Sequence, residues 1–392
     1  MLPSELSKII DETIDGERAS LTKLALDIHA NPELRFQEHK AAAWIAELLR
    51  ARGFTVEQGI ANMPTALRAT KGTSNGPRIA ILGEYDALPE IGHACGHNLI
   101  AAGAVGAFLA AAAAASRVNG EVVFLGTPAE EGGGGKLKMI EDGVFDKIEA
   151  AMMFHPFDRD ILAHPALANV WLAVTFRGHS AHAAAAPHEG RSALVACMDT
   201  FRLVDGQRIR FRDGVRVHGY ITNGGQAVNV IPELASAEFS IRARDELELE
   251  RVRGIVERCA KAAAFASEVD VDVVVRRGYR DIRNNMTMAR AFGEHLRALG
   301  RTARQTDDRV GAGSTDMGDV SHVVPSIHPY LAIVDENTSL CHQHAFAAAA
   351  AAERGLDTAM TAARALARTA VELLADDGLR LAARTEWESA RV

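Results

Sequence analysis

The chain has 392 residues and a mass of 42.0 kDa, with 48% hydrophobic and 24% charged residues and a formal net charge of −8. That length exceeds what one hydrophobic core usually organises, so two domains are expected. An acidic balance with Lys and Arg spread along the chain excludes a nucleic-acid or anionic-membrane surface as the main partner.

The acidic start, "MLPSELSKIIDETIDGE", has no apolar signal core, which predicts no secretory segment and a cytoplasmic home. Apolar periodicity predicts helices over roughly 4–30 and 38–52, the second closing on Arg50, Arg52 and Gly53. Strand and helix signals then alternate. "PRIAILG" (77–83) reads as a buried strand, 98–116 as a helix, "EVVFLGT" (121–127) as a strand, 137–142 as a short helix and "AAMMF" (150–154) as a strand. The alanine-rich run 101–116 is too short and too weakly apolar to span a membrane, so it reads as a packed helix. This alternation implies an α/β layer with a mostly parallel central sheet flanked by helices.

The pattern changes near 168. "ANVWLAVTFRG" is a strand, 191–207 a helix, "RVHGYITNGG" and "ASAEFSIRA" strands, 245–264 a helix and "EVDVDVVVRRG" a strand. That β-α-β-β-α-β order is the ferredoxin-like split pattern, of the size of an independent unit. From about 280 the chain reads as helical, then α/β, and closes in one alanine-rich helix over about 346–377. The expected architecture is therefore a domain formed by 1–167 and 279–392, interrupted by an inserted domain at 168–278.

Chemistry gathers after the strand ends. "GEYDALPEIGHACGHNL" carries Glu84, Asp86, Glu90, His93, Cys95 and His97 at the carboxyl end of a strand, where open α/β sheets collect ligands. Cys95 and His97, at i and i+2 in a glycine-flanked turn, suit zinc or another borderline transition metal better than calcium or magnesium. Cys95, Cys197, Cys259 and Cys341 form no CxxC pair, so free thiols or a metal ligand are expected rather than a disulfide framework. Glu130 and Glu131 close the next strand ahead of four glycines. Two like charges there repel unless something positive stands between them. A metal centre answers, with one glutamate as ligand and its neighbour as base toward a metal-activated water. His155 follows a third strand of the same sheet. A thiol nucleophile at Cys95 with His97 as base is a rival, but the i, i+2 spacing aims that pair poorly.

"HANPELRFQE", "GEYDALP", "HACGHN", "TPAEEGGGGK", "GHSAHAAAAP", "NVIPELA" and "GSTDMGDVS" occur in one order along nearly the whole chain. Together they resemble the co-catalytic metallopeptidase and aminoacylase family, in the branch of aminobenzoyl-glutamate hydrolase, auxin-conjugate amidohydrolases and the β-alanyl-lysine type dipeptidase. The resemblance implies a metal-dependent amidohydrolase acting on an N-acyl amino acid or dipeptide-like substrate. It implies two divalent ions, zinc first with manganese or cobalt as alternatives, and an inserted lid that forms a homodimer. Residue by residue, it implies that Cys95 bridges the ions and that His97, Glu131, His155 and His342 (with His344 as rival) are ligands. Glu130 would be the general base and Asp86 the group behind the ligands. Glu84 stands where the wider family has a ligand histidine. In the lid, the resemblance implies His182 as a carbonyl-polarising donor and Asn229, with Gly225, as substrate contacts. Arg242, on a β alternation, could grip a carboxylate with its fork. Gly313, Ser314 and Thr315 form a polar loop suited to donating backbone hydrogen bonds to a substrate carboxylate. A catalytically silent metal-binding or assembly protein on the same fold is the alternative, since fold alone does not establish activity.

Overall fold

The computed structural model describes residues 2–73, 75–307 and 312–390. Contacts divide the chain into two units, one built from the chain up to Pro165 together with that from Ile282 onward, the other from Ala166–Asp281. In chain order the first unit opens with α1 (Ser4–Ala30), α2 (His39–Ala51), β1 (Val56–Gln58), β2 (Leu67–Gly72) and β3 (Arg78–Glu84). It continues with α3 (His97–Ala115), β4 (Glu121–Thr127), α4 (Gly135–Glu141), β5 (Ala150–Met152) and β6 (His155–Phe157). The second unit holds β7 (Ala168–Arg177), α5 (Ala193–Gln207), β8 (Arg216–Asn223), β9 (Leu234–Ala243), α6 (Glu246–Ala266) and β10 (Asp270–Arg277). The first unit resumes with α7 (Met286–Ala298), α8 (Met317–Ser321), β11 (Ser326–Ile327) and β12 (Tyr330–Ala332). It ends with α9 (His344–Ala349), α10 (Glu353–Ala375) and α11 (Asp377–Ser389).

The main sheet of the first unit has the order β1-β2-β4-β3-β5-β11. Its centre is parallel, β3 lying between β4 and β5, with β11 parallel to β5. β2 and β1 extend it as antiparallel strands. Neither was visible in the sequence, because β1 buries only Val56 and β2 only Leu67 and Ala69, too few residues for an alternation to register. β3 and β4 bury every position except Arg78, which is the signature of strands covered on both faces. Ile79, Ile81, Val122 and Phe124 face the cluster containing α1, α3 and α10, while Ala80, Leu82, Val123 and Leu125 face one containing Met139, Met317 and Val320.

α3 explains the alanine-rich run. The helix packs against α1, α10 and the sheet, and all its residues but Ala113 are buried. Small side chains let its neighbours approach from every side. It is the one described helix long and apolar enough to cross a bilayer, and 94% of that window is buried inside the unit.

The single helix expected over about 346–377 is two, α9 and α10, and α11 follows beyond it. Ala352 is extended (ψ 158°), which breaks the run before α10. Asp376 leaves the helical region and caps α11, accepting from Leu379 N at 2.9 Å. Alanine carries no stop signal of its own, so composition hid the break between α9 and α10.

The second unit forms a four-stranded antiparallel sheet of order β10-β7-β9-β8. Val170, Leu172, Val174 and Phe176 of β7, with Ala235, Ala237, Phe239 and Ile241 of β9, bury one face together with residues of α5 and α6. The period of two sends Trp171, Glu238 and Arg242 to the other face.

Phe124→Ala, at the centre of the first unit, is expected to cost about 3–5 kcal/mol of stability in urea unfolding. Asp376→Ala, which removes only the cap of α11, is expected to cost about 1 kcal/mol in the same measurement.

Candidate metal centre

Each strand end delivers its chemistry through a constrained loop. β3 ends at Glu84, followed by Tyr85 and Asp86. The loop returns to Cys95, and His97 opens α3 directly after Gly96. Gly96 has φ 77°, and a Cβ there would lie 2.9 Å from Pro156 Cγ, so glycine alone fits between the two donors. His155 comes from elsewhere than expected. β5 stops at Met152, and His155 instead opens β6, which pairs with β12 in a separate two-stranded sheet.

The four glycines after Glu131 are all demanded by the turn. Gly132 and Gly134 have φ of 95° and 66°. A Cβ on Gly133 would lie 2.5 Å from Ala129 Cβ, and one on Gly135 would lie 1.9 Å from Pro128 O. Ala129 itself holds φ 61°, a left-handed conformation costing an L-residue about 1–3 kcal/mol. This strained turn is what aims Glu130 and Glu131.

Cys95, His97 and His155 each bring one donor atom within 4.8 Å of the others, as do Cys95, Glu131 and His342, and Glu84, His97 and Glu130. Cys95 Sγ lies 3.4 Å from His155 Nε2. His342 Nε2 lies 3.2 Å from Glu131 Oε1. His97 Nε2 is 3.3 Å from Glu84 Oε1 and 4.0 Å from both Glu130 Oε2 and Glu131 Oε1. On its other side His97 Nδ1 meets Asp86 Oδ1 at 3.1 Å and Asp86 O at 2.9 Å, which leaves Nε2 free for a ligand role. The second oxygen of Asp86 accepts from Glu131 N at 2.9 Å. One buried carboxylate thus orients two donors. Between the rivals near the C-terminus, His342 is the one brought in. Its N–H donates to Ala94 O at 2.9 Å, beside Cys95, whereas His344 begins α9 as an exposed residue outside these groups.

The electrostatics call for a cation. Burial, then Glu84 and Glu131, push the Glu130 carboxyl well above the usual carboxylate range. Contact with Cys341, then burial and the two glutamates, push the Cys95 thiol up as well. Burial opposes charge on His97, but Glu84, Asp86 and Glu131 outweigh it and raise its pKa. Burial brings His155 down to about 4, so that imidazole is neutral as a ligand must be. Among the described residues, the buried His97 Nε2, Glu84 Oε1 and Glu131 Oε1 make ion-pair contacts but no well-directed hydrogen bond. Thiol, imidazole and carboxylate donors of this kind, crowded and unsatisfied, fit divalent transition-metal ions.

Two residues at the site were invisible in the sequence. Lys136, fully buried, donates from Nζ to Glu84 Oε2 and Asp316 Oδ1, each at 2.6 Å, and its backbone N–H donates to Asp316 Oδ2 at 3.1 Å. Burial opposes its charge, yet Asp316 and Glu84 hold it above the ordinary lysine range. Glu38, also fully buried, accepts from Ala129 N at 2.9 Å. A lone lysine after a glycine run and a glutamate before a helix look like solvated surface residues. Only burial distinguishes them.

The substrate candidates divide between the units. In the first unit Gly313 is exposed, Ser314 Oγ has no hydrogen-bond partner among the described residues, and Thr315 is buried with its hydroxyl accepting from Met317 N. Their neighbour Asp316 ties this loop to Lys136 and hence to Glu84. In the second unit the exposed His182 accepts at Nδ1 from Ala184 N and Ala185 N, which leaves its proton on Nε2. Asn229 stands beside it, its carbonyl accepting from Ala183 N at 2.9 Å. Arg242 is not brought to them. It pairs with Asn169 while Leu234, at the His182 end of β9, pairs with Arg177, a separation of about 26 Å along the strand.

The profile of peptidase family M20/M25/M40 matches residues 80–371. Xaa-Arg dipeptidase of Mus musculus is 35% identical over 96% of this chain and 91% of its own length. A p-aminobenzoyl-glutamate hydrolase chain of Escherichia coli is 35% identical over 76% of this chain and 66% of its own. Among solved structures, a dinuclear metal binding peptidase of the M20 family from Bacillus subtilis shares the fold with a TM-score of 0.74. It is 20% identical and covers 92% of this chain and 99% of its own. An aminobenzoyl-glutamate utilization protein from Klebsiella pneumoniae has a TM-score of 0.70 at 19% identity, covering 93% and 98%. The family resemblance read from the ordered motifs is thereby borne out: the chain belongs to peptidase family M20/M25/M40 and is a metallopeptidase-type hydrolase acting on peptide or amide bonds.

Proposed function

We propose that the chain hydrolyses the amide bond of a dipeptide or N-acyl amino acid at a centre of two divalent ions. Zinc is the first choice, and manganese or cobalt would suit the same donors. One observation carries this: Cys95 belongs to two donor groups at once, with His97 and His155 on one side and Glu131 and His342 on the other. Cys95 would be shared, and the four other residues would complete the two sets. Bound ions would supply a polarised carbonyl and a water acidic enough to lose its proton near neutral pH.

The chain's own residues do the rest. Asp86 holds His97 through Nδ1 and Glu131 through its backbone N–H, so that both donors stay aimed. Glu130, buried with Oε2 4.0 Å from His97 Nε2 among the donor groups, would as a carboxylate take the proton of the attacking water and hand it to the leaving nitrogen. The second unit would act as a lid, with His182 donating from Nε2 to the carbonyl oxygen as charge builds there and Asn229 holding the substrate beside it. Backbone donors of Gly313, Ser314 and Thr315 would bind a substrate carboxylate. Exposed Tyr220 and Ile221 on the edge strand β8, with exposed Val228, support the second unit as a homodimer surface.

A dipeptide ending in arginine is the first substrate to try, after the mouse relative. Ala-Arg, p-aminobenzoyl-glutamate and N-acetyl amino acids would be incubated with metal-stripped protein, with zinc, manganese or cobalt restored, and amine release followed. Turnover is expected only with metal. Glu130→Gln is expected to lower it by about 10²–10⁴-fold while metal content stays unchanged. Turnover that survives both metal removal and Glu130→Gln sinks the proposal. Two bound ions per chain with no turnover across the panel would favour the silent metal-binding alternative.

A further inference from the structure

Glu38 is buried where a glutamate just ahead of a helix would ordinarily face water or cap that helix. It does not cap α2. Glu33 does so instead, accepting from Lys40 N at 2.8 Å and Ala41 N at 3.1 Å. Glu38 Oε1 accepts two backbone N–H groups, from Phe36 at 2.8 Å and Ala129 at 2.9 Å. Both donors are non-glycine residues in the left-handed region, with φ of 62° and 61°. Glu38 Oε2 accepts from Thr65 Oγ1 at 2.9 Å, and the carbonyl of Thr65 accepts from the hydroxyl of Tyr85, which sits between Glu84 and Asp86. A single carboxylate therefore ties the turn before Glu130 to the loop after β3. Packing reinforces the same clasp, since a Cβ on Gly133 would meet the Phe36 ring at 2.8 Å and Ala129 Cβ at 2.5 Å.

We propose that Glu38 is a positioning residue for hydrolysis: by holding Ala129 in its left-handed turn, it sets the direction in which Glu130 and Glu131 leave β4. The inference rests on Glu130 being the base and Glu131 a ligand. A buried amide donor needs an acceptor, and among the described residues no other acceptor is found for Ala129 N. Without it Ala129 can relax toward ordinary φ, which swings the next two side chains. Misplacement of a catalytic group by about 1 Å lowers rate by up to about 10²-fold.

The test separates reach from charge. Glu38→Gln keeps the acceptor oxygen in place and removes the charge, whereas Glu38→Asp keeps the charge and withdraws the oxygen from Ala129 N. In the metal-loaded full chain, kcat and KM would be measured for the panel substrate that is turned over, beside Glu38→Ala and Glu130→Gln. Glu38→Asp and Glu38→Ala are expected to lose about 10–100-fold in kcat, with KM within about threefold of wild type. Glu38→Gln is expected to stay within about threefold in both. If Glu38→Ala does not fold, as read by circular dichroism, the Asp and Gln pair still decides. The proposal is overturned if Glu38→Asp keeps wild-type kcat, or if Glu38→Gln loses as much as Glu38→Asp. If Glu130→Gln is itself fully active, the assignment of the base is wrong and this inference falls with it.

Discussion

Buried negative charge at the carboxyl edge of the main sheet is the constraint to which the rest of the first unit answers. Glu84, Asp86, Glu130 and Glu131 converge there with the thiol of Cys95, in a place where charge is costly unless paired. Lys136 offsets Glu84 and Asp316, and His97 lies among all four of the carboxylates Glu84, Asp86, Glu130 and Glu131. Burial first and then Glu84 and Glu131 raise the proton affinity of Glu130, while contact with Cys341 and burial, with the two glutamates behind them, raise that of Cys95. A site poised in this way binds divalent ions because they relieve a repulsion already built into the fold.

The fold makes that concentration possible by burying the strands that deliver it on both faces. The parallel strands β3 and β4 end side by side, Glu84 in register with Thr127, so their loops emerge together. Both faces of these strands are covered, and the small-residue surface of α3 lets α1 and α10 close over them. The loops then store strain at Ala129 and His342, both at positive φ, while Gly132 and Gly134 take the same region freely. Such conformations persist only where the surroundings over-determine them. Here those surroundings are Asp86, Glu38, Ala94 and the tight packing around Gly133 and Gly135.

Much of this was legible in the chain itself. The alternation of strand and helix signals located β3, α3, β4 and β5 to within a few residues, because strands buried on both faces write continuous apolar runs. Cys95, His97, Glu130 and Glu131 declared themselves through residue type and spacing, since the pairs come from single loops. His155 was expected at the end of the strand that is β5, yet it opens β6. β1 and β2 left no pattern, the break between α9 and α10 lay hidden in alanine, and α11 was not foreseen beyond 377. Arg242 read as a plausible carboxylate fork, yet its register places it at the other end of β9 from His182.

Sequence alone determined the donor chemistry, the order of the elements and the family, because each is written in residue type and local spacing. Tertiary structure decided which polar residues are buried and what faces them. Lys136 meets Glu84 across 52 positions and Asp316 across 180, while Glu38 reaches Ala129 across 91. His342 prevails over His344 because its backbone is pinned to Ala94. Charge compensation and side-chain aim depend on contacts that close only when distant segments pack. No periodicity along the chain encodes them.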